Sequence, residues 1–269
     1  MLDVASDQAT GLRKMFEAPP GLAVLPLAAV RRDAGFHSLV ANIAAGNARL
    51  GRRVLVIDTA ARGVAHLLGL RTPYDLSDLL SGERDFHDVV VQAAEGLHVL
   101  KAQKGIPAFV EMSGDPAELF LAFRRQEEPF DVVIIAGHVR EISAMTRRGD
   151  DLVLVTNPDS DALAATYAAI KRAHVEHGRS AFRLLVNRVD DEAAGALAFR
   201  RLAGAARKFL GVGIAYGGAV ARDAAFVAAE RAQCSVYDVA SASSAAAQIS
   251  QLVQSMQAWG LGRYALDEY

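Results

Sequence analysis

The segment Leu50-Gly51-Arg52-Arg53-Val54-Leu55-Val56-Ile57-Asp58 decides the fold class. Residues 54–57 are apolar without interruption, whereas a strand with one face in water alternates apolar and polar residues. An aspartate follows the apolar run directly. The pattern predicts a strand that is buried on both faces and ends at a polar edge.

Similar apolar runs recur on both sides of this segment, at residues 22–28, 97–100, 132–136, 152–155, 182–186 and 212–216. Between them lie stretches rich in residues that favour helices, at 38–50, 116–126, 161–176 and 192–210. Because strands and helices alternate, we predict an α/β fold: a doubly wound, mostly parallel sheet flanked by helices, with right-handed crossovers. Ligands bind such sheets at the carboxyl ends of the strands.

The composition permits one sizeable core. Of the 269 residues, 52% are hydrophobic and 22% are charged. We expect residues 21–269 to form a single domain. The net charge of −2 argues against a protein that coats nucleic acid. The lone cysteine, Cys234, excludes an internal disulfide and fits a reducing compartment. We therefore expect a cytoplasmic protein with no nucleic-acid partner.

No segment has the features of a membrane span or a secretory signal. The longest charge-free apolar stretch, residues 21–30, contains Pro26 and is far shorter than the roughly 20 residues of a spanning helix. The N-terminus carries Asp3 and Asp7 and has no basic region before an apolar one. We expect the chain neither to span a membrane nor to be exported.

Residues 1–20 are predicted to form an N-terminal arm, because Glu-Ala-Pro-Pro at residues 17–20 ends any preceding helix. Residues 7–16 have the pattern of a short helix with a capping polar residue at its start. With about ten residues and Gly11 inside, this helix is marginal in water. It therefore orders on a surface, which is a partner or the chain's own domain; a disordered tail is the remaining alternative.

Six short motifs follow one another along the chain. They are Asp7-Gln8-Ala9-Thr10-Gly11-Leu12-Arg13, Asn42-Ile43-Ala44, the 50–58 segment quoted above, Thr156-Asn157-Pro158-Asp159-Ser160, Tyr167-Ala168-Ala169-Ile170-Lys171 and Val186-Asn187-Arg188-Val189. In this order and spacing they resemble the MinD/ParA class of deviant-Walker ATPases, and within it the FlhG group of flagellar regulators, also called FleN. The resemblance spans nearly the whole chain.

The resemblance places the family's ATP loop, Lys-Gly-Gly-Val-Gly-Lys-Thr, on residues 31–37, which here are Arg-Arg-Asp-Ala-Gly-Phe-His. A phosphate cradle needs glycines, a lysine and a magnesium-binding hydroxyl. Only Gly35 remains of the glycines, Phe36 stands at the phosphate-binding lysine, and His37 stands at the threonine. Arg31 replaces the family's signature lysine and keeps its charge but not its geometry.

Two further positions point the same way. The family has two aspartates after the second strand, but this chain keeps Asp58 and has Ala60 in place of the second. The metal-side aspartate of the Walker B strand falls on Ala136. Since phosphoryl transfer depends on positioning and on charge stabilisation, we expect ATP hydrolysis to be lost, with no catalytic residue of its own and no metal.

Nucleotide binding without hydrolysis stays open as a disfavoured alternative. Asn187 matches the family's adenine-binding asparagine, and a helix N-terminus retains some affinity for anions. The other interpretation of Asn187 is a strand-end residue that hydrogen-bonds its own loop. We favour the latter, and we expect no ATP or Mg²⁺ cofactor.

The resemblance also implies a role for the arm. In the FlhG family the matching arm stimulates the GTPase of FlhF, a relative of signal-recognition-particle GTPases, and its glutamine is placed at the partner's catalytic site. This makes Asp7, Gln8, Leu12 and Arg13 candidates for partner activation. A glutamine amide both donates to and accepts from water, which is how GTPases orient the attacking water.

We thus expect a regulator of flagellar number or placement, present as a monomer or a nucleotide-independent dimer, and recruited to the cell pole or the inner membrane face. Further candidate partners are flagellar switch proteins and a transcriptional activator. The apolar face of residues 245–259 is expected to pack against the core rather than bind membrane. One alternative is an ATPase in which Arg31 or Arg32 replaces the lysine; another is a nucleotide-independent scaffold.

Overall fold

The computed structural model describes residues 21–31, 35–112 and 114–264. Their centre is a nine-stranded sheet. The strands are β1 (Leu22–Ala29), β2 (Val54–Asp58), β3 (Val90–Ala94), β4 (Leu97–Lys101), β5 (Val132–His138), β6 (Leu152–Thr156), β7 (Phe182–Val189), β8 (Ala215–Ala221) and β9 (Gly262–Tyr264).

Helices cover both faces of the sheet. They are α1 (Phe36–Arg49), α2 (Val64–Leu67), α3 (Leu76–Leu80), α4 (Phe86–Val89), α5 (Gly105–Glu111), α6 (Pro116–Arg124), α7 (Val139–Met145), α8 (Ser160–His177), α9 (Glu192–Leu210), α10 (Ala224–Ala232), α11 (Val236–Ala240) and α12 (Ser244–Ser255), followed by a 3-10 turn at Met256–Ala258.

The strand order is β3-β4-β2-β5-β1-β6-β7-β8, with β9 beside β1. Only β3 and β9 run antiparallel to their neighbours among these strands; the other pairings are parallel. The central strand β1 is buried along its whole length, as a strand covered on both faces must be. The predicted doubly wound, mostly parallel sheet is confirmed.

One predicted strand is misplaced. Residues 212–216 were expected to form a strand, but β8 begins at Ala215. Gly211 ends α9 in the left-handed conformation, with φ of 69°, and the chain then turns so that Val212 packs into the core. An apolar contact just after a glycine C-cap is common, so Val212 belongs to the helix end and not to the strand.

The C-terminal helix packs against the core, as expected. Ile249 and Val253 of α12 and Met256 of the following turn are all buried. Their spacing puts them on one helical face, which lies against the same side of the sheet as α1. None of the described helices is both long enough and apolar enough to cross a membrane.

The parallel strands bring four chain positions to one edge of the sheet. β1, β2, β4 and β5 are neighbours and run the same way, so their carboxyl ends, Ala29, Asp58, Lys101 and His138, share that edge. The helix α1, the next described element after β1, starts at the same edge. This edge holds the candidate site.

Candidate functional site

The start of α1 lies over the carboxyl edge of β1. Gly35 is the N-cap, with φ of 64°, a left-handed conformation that glycine adopts without strain. Phe36, at the first helical position, is 1% exposed and belongs to the core beneath the helix. The aromatic ring therefore fills apolar space at the position where a phosphate-binding lysine was sought. Residues 32–34 lie outside the described residues.

His37 follows at the same helix start and packs edge-on against Phe36, with 5.2 Å between ring centroids. Its Nδ1 atom is buried and has no hydrogen-bond partner among the described residues. Burial lowers the pKa of His37, the charges of Lys101 and His138 lower it further, and Asp58 opposes them. Folding therefore favours the neutral form of His37.

This environment predicts a pH dependence of stability. Because the folded-state pKa of His37 lies below its usual 6.5, the unfolded chain binds the proton more readily. The contribution of neutral His37 to the free energy of unfolding is fully present above pH 6.5. It is lost as the pH falls from 6.5 to the lower folded-state pKa, and the free energy of unfolding then changes by at most about 1.4 kcal/mol per pH unit. We expect His37→Gln to flatten this part of the curve in urea unfolding measured across the pH range.

His87 supplies the control for this measurement, since it is exposed on α4. His87→Gln should follow the wild-type pH profile. Parallel curves for wild type and His37→Gln would show that His37 is not held neutral by folding.

Asp58, at the end of β2, is 0% exposed. Its Oδ1 accepts from the N–H of Ala60 at 3.2 Å, and its Oδ2 accepts from the N–H of Ala65 at 3.0 Å. Lys101 Nζ, at the end of the adjacent strand β4, lies 3.3 Å from Asp58 Oδ2. A buried carboxylate with two amide donors and an ammonium is fully compensated.

The Lys101 ammonium has further oxygen partners. It donates to the carbonyl oxygen of Ala60, and to that of Ala61 at 3.3 Å. The Lys101 side chain is 11% exposed. The ammonium thus lies within a group of three oxygens, one from a carboxylate and two from the backbone.

Next to this pair, the Walker B position carries no carboxylate. Ala136 on β5 is buried and is the register partner of Asp58. Thr59 Oγ1 lies 3.1 Å from the Ala136 carbonyl oxygen and 2.8 Å from Glu141 Oε2. Glu141 Oε2 also accepts from the N–H of His138 at 3.1 Å, which caps α7. The Glu141 carboxylate near this position is therefore engaged in a helix cap.

Arg31 lies at the other side of the edge, directly after β1. Its NH1 atom is 3.7 Å from Asp159 Oδ1, and both side chains are substantially exposed. Asp159 is the N-cap of α8 and accepts from the N–H of Ala162. An exposed pair of this kind contributes little to stability, and it directs Arg31 toward α8.

A cavity of about 640 Å³ lies between α1 and the end of β7. Gly35, Ser38, Asn187 and Arg188 are among its lining residues. A side-chain Cβ at Gly35 would lie 2.8 Å from Arg188 Nε, so the guanidinium crosses directly over the start of α1. The cavity contains Asn187 in its lining, and beside Gly35 its wall is formed by the Arg188 side chain.

The structure thus brings Arg31, Gly35, Phe36, His37, Asp58, Ala136 and Asn187 to the carboxyl edge of one sheet. The arm candidates Asp7, Gln8, Leu12 and Arg13 lie outside the described residues. No group of three or more His, Cys, Asp or Glu side chains suited to a metal ion occurs in the described part of the chain.

Sequence reasoning missed Lys101 and Arg188. The signal for Lys101 was available: it ends an apolar run just as Asp58 does, and a charged residue at the end of a buried strand marks the ligand edge. Arg188 has a left-handed backbone, with φ of 56°, which is uncommon for a non-glycine residue and has no sequence signal.

Comparison with known proteins gives two relatives in sequence. The antiactivator FleN of Pseudomonas aeruginosa is 28% identical over 234 residues, which are 84% of this chain and 83% of FleN. The chromosome-partitioning ATPase Soj of Thermus thermophilus is 34% identical over 113 residues, 41% of this chain and 44% of Soj. No protein-family model matches the chain.

Solved structures extend the similarity to the fold. MinD of Aquifex aeolicus superposes with a TM-score of 0.68 at 18% identity, covering 90% of this chain and 99% of MinD. MinD of Pyrococcus horikoshii, solved as a complex with Mg-ADP, gives 0.60 at 17% identity, covering 87% and 96%. At these identities the structures establish a shared fold.

Proposed function

The chain is a FleN-type member of the MinD/ParA family, and from this premise we propose that it regulates flagellar number or placement through protein contacts, with its own ATP hydrolysis lost. The observation that carries the loss is the contact between Lys101 Nζ and Asp58 Oδ2 at 3.3 Å. The Lys101 ammonium occupies the position beside the Asp58 carboxylate that a divalent cation would need.

The neighbouring residues fit Mg-ATP no better. Phe36 is buried in the core and offers no charge to a phosphate. Ala136 has no carboxylate, and Thr59 Oγ1 is engaged with Glu141. Since phosphoryl transfer needs positioned cations around the phosphates, these residues support a protein that works without hydrolysing ATP.

We propose an FlhF-type GTPase as the principal partner. The support is the arm sequence Asp7-Gln8-Ala9-Thr10-Gly11-Leu12-Arg13, which is intact although the ATP loop is not. In this proposal Gln8 enters the partner's site and orients the attacking water, while Leu12 and Arg13 hold the arm on the partner.

GTP turnover by the partner tests this role. We expect the full chain to stimulate turnover, a chain lacking residues 1–20 to leave it at the basal rate, and Gln8→Ala to lose most of the stimulation, by at least about tenfold. Gln103→Ala is the matched control, because Gln103 is an exposed glutamine of the domain. Stimulation that survives both the truncation and Gln8→Ala would refute the activator role.

A nucleotide-independent scaffold is the second candidate, since the similar FleN protein is named an antiactivator. In that case the partners are a transcriptional activator or flagellar switch proteins, and they bind the domain instead of the arm. A chain without residues 1–20 that still captures such a partner, with GTP turnover unchanged, would favour this function.

A further inference from the structure

The segment that follows β2, residues 59–65, folds back over Asp58. We propose that the Lys101 ammonium is a built-in counter-ion that replaces a divalent cation beside Asp58 and holds residues 59–65 in one conformation without any ligand. We call residues 59–65, together with Asp58 and Lys101, the clasp.

The first support is where the two charges come from. Asp58 and Lys101 are register partners on the adjacent parallel strands β2 and β4. Both backbones are fixed by sheet hydrogen bonds on strands buried in the core. The charges are therefore held in place by the sheet, and neither depends on a loop to reach the other.

The second support is the number of bonds from this pair to the segment. The carboxylate accepts the N–H groups of Ala60 and Ala65, at 3.2 and 3.0 Å. The ammonium donates to the carbonyl oxygens of Ala60 and Ala61. The segment is thus bonded through donors and acceptors alike, and loss of either charge leaves backbone groups unpaired.

The third support is Gly63. A Cβ at this position would lie 2.0 Å from Asp58 Oδ1, so the backbone of the segment closes directly on the carboxylate. Only a glycine permits this approach. With the ammonium beside Oδ2 and the Gly63 backbone beside Oδ1, both carboxylate oxygens of Asp58 have close neighbours.

The oxygen atoms around the ammonium resemble the environment of a hard cation. One carboxylate oxygen and two backbone carbonyl oxygens are the donor types that Mg²⁺ and Ca²⁺ take in proteins. Here they surround a charge that is covalently part of the chain, so a second cation is repelled. The clasp therefore stays closed whether or not nucleotide or magnesium is present.

This inference deepens the nucleotide-independent function proposed above and rests on it for its biological meaning. Its test is independent, because it measures the segment itself and needs no partner. Stimulation of a GTPase can fail while the clasp holds, and the clasp can fail while stimulation is observed.

Amide hydrogen exchange of the full chain provides the test. In Lys101→Met we expect the amides of Ala60 and Ala65 to exchange about 100-fold faster than in wild type. Lys104→Met is the matched control, because Lys104 lies exposed after the same strand, and its exchange should equal that of wild type. In Lys101→Met/Asp58→Asn, which removes both charges, the asparagine side chain keeps one accepting oxygen for the two N–H groups, so at least one of the two amides should still exchange faster than in wild type.

A second measurement needs no variant. Millimolar MgCl₂ should leave exchange of residues 59–65 in the wild-type chain unchanged. Wild-type rates in Lys101→Met, or slower exchange on adding MgCl₂ to the wild-type chain, would overturn the proposal. Should Lys101→Met fail to fold, the double variant and the magnesium titration still decide it.

Discussion

Replacing Asp58 with alanine is expected to lower the free energy of unfolding by about 3–5 kcal/mol, because the Lys101 ammonium is then left buried without its partner. The amides of Ala60 and Ala65 also lose their acceptor. A carboxylate kept for a metal ion behaves differently, since removing a functional charge usually leaves stability unchanged or raises it. The effect of Asp58→Ala therefore separates a structural role from a cation-binding one.

Urea unfolding followed by circular dichroism measures this difference. Asp190→Ala is the control, because Asp190 lies near the same sheet edge and its side chain is 84% exposed; its effect should stay within about 0.5 kcal/mol. Adding Lys101→Met to Asp58→Ala should restore part of the loss, as expected for coupled residues. An Asp58→Ala chain as stable as wild type would contradict the account of this pair.

Helices and strands were predicted correctly from the sequence where their local signals agree with the fold. Helix α9 was predicted with the bounds that it has, because Asp191 caps its start and Gly211 ends it. The start of β8 was predicted at residue 212 instead of Ala215, because Val212 is apolar and was counted as part of the strand. β3 and β9 were missed because neither gives a long apolar run: β3, the antiparallel strand at the edge of the sheet, is partly exposed, and β9, which pairs with β1, has three residues.

The candidate site was predictable in part. The replacements at Phe36, His37 and Ala136 follow from alignment of motifs along the chain. The Lys101 contact does not, because β2 and β4 are not consecutive strands and the sequence does not say that they pair. A single sequence does not show which side chains come into contact because their strands are neighbours in the sheet but not consecutive in the chain.

The cavity that keeps Asn187 supports the rival hypothesis of a nucleotide-binding protein. Ser38 Oγ and Asn157 Oδ1, which both line this cavity, are buried without a hydrogen-bond partner among the described residues. Such atoms favour a polar occupant. A polar occupant alone is not enough for Mg-ATP, which requires in addition the cation and phosphate contacts that Phe36, Lys101 and Ala136 do not provide.

Micromolar affinity for Mg-ATP corresponds to about −8 kcal/mol of binding free energy. Backbone amides, a lysine and Mg²⁺ are the groups that a phosphate-binding loop brings to the phosphates. In this chain the ammonium of Lys101 already neutralises Asp58. We therefore expect Mg-ATP to bind with a dissociation constant weaker than about 1 mM. Magnesium should not change the affinity, because the carboxylate that would bind it is occupied.

Isothermal titration calorimetry of the full chain with ATP, with and without Mg²⁺, tests this most directly. MinD of Pyrococcus horikoshii, whose structure contains Mg-ADP, is the positive control when it is titrated with Mg-ADP in the same buffer. The account predicts no saturable heat for this chain under either condition. Micromolar binding that depends on Mg²⁺ would contradict it.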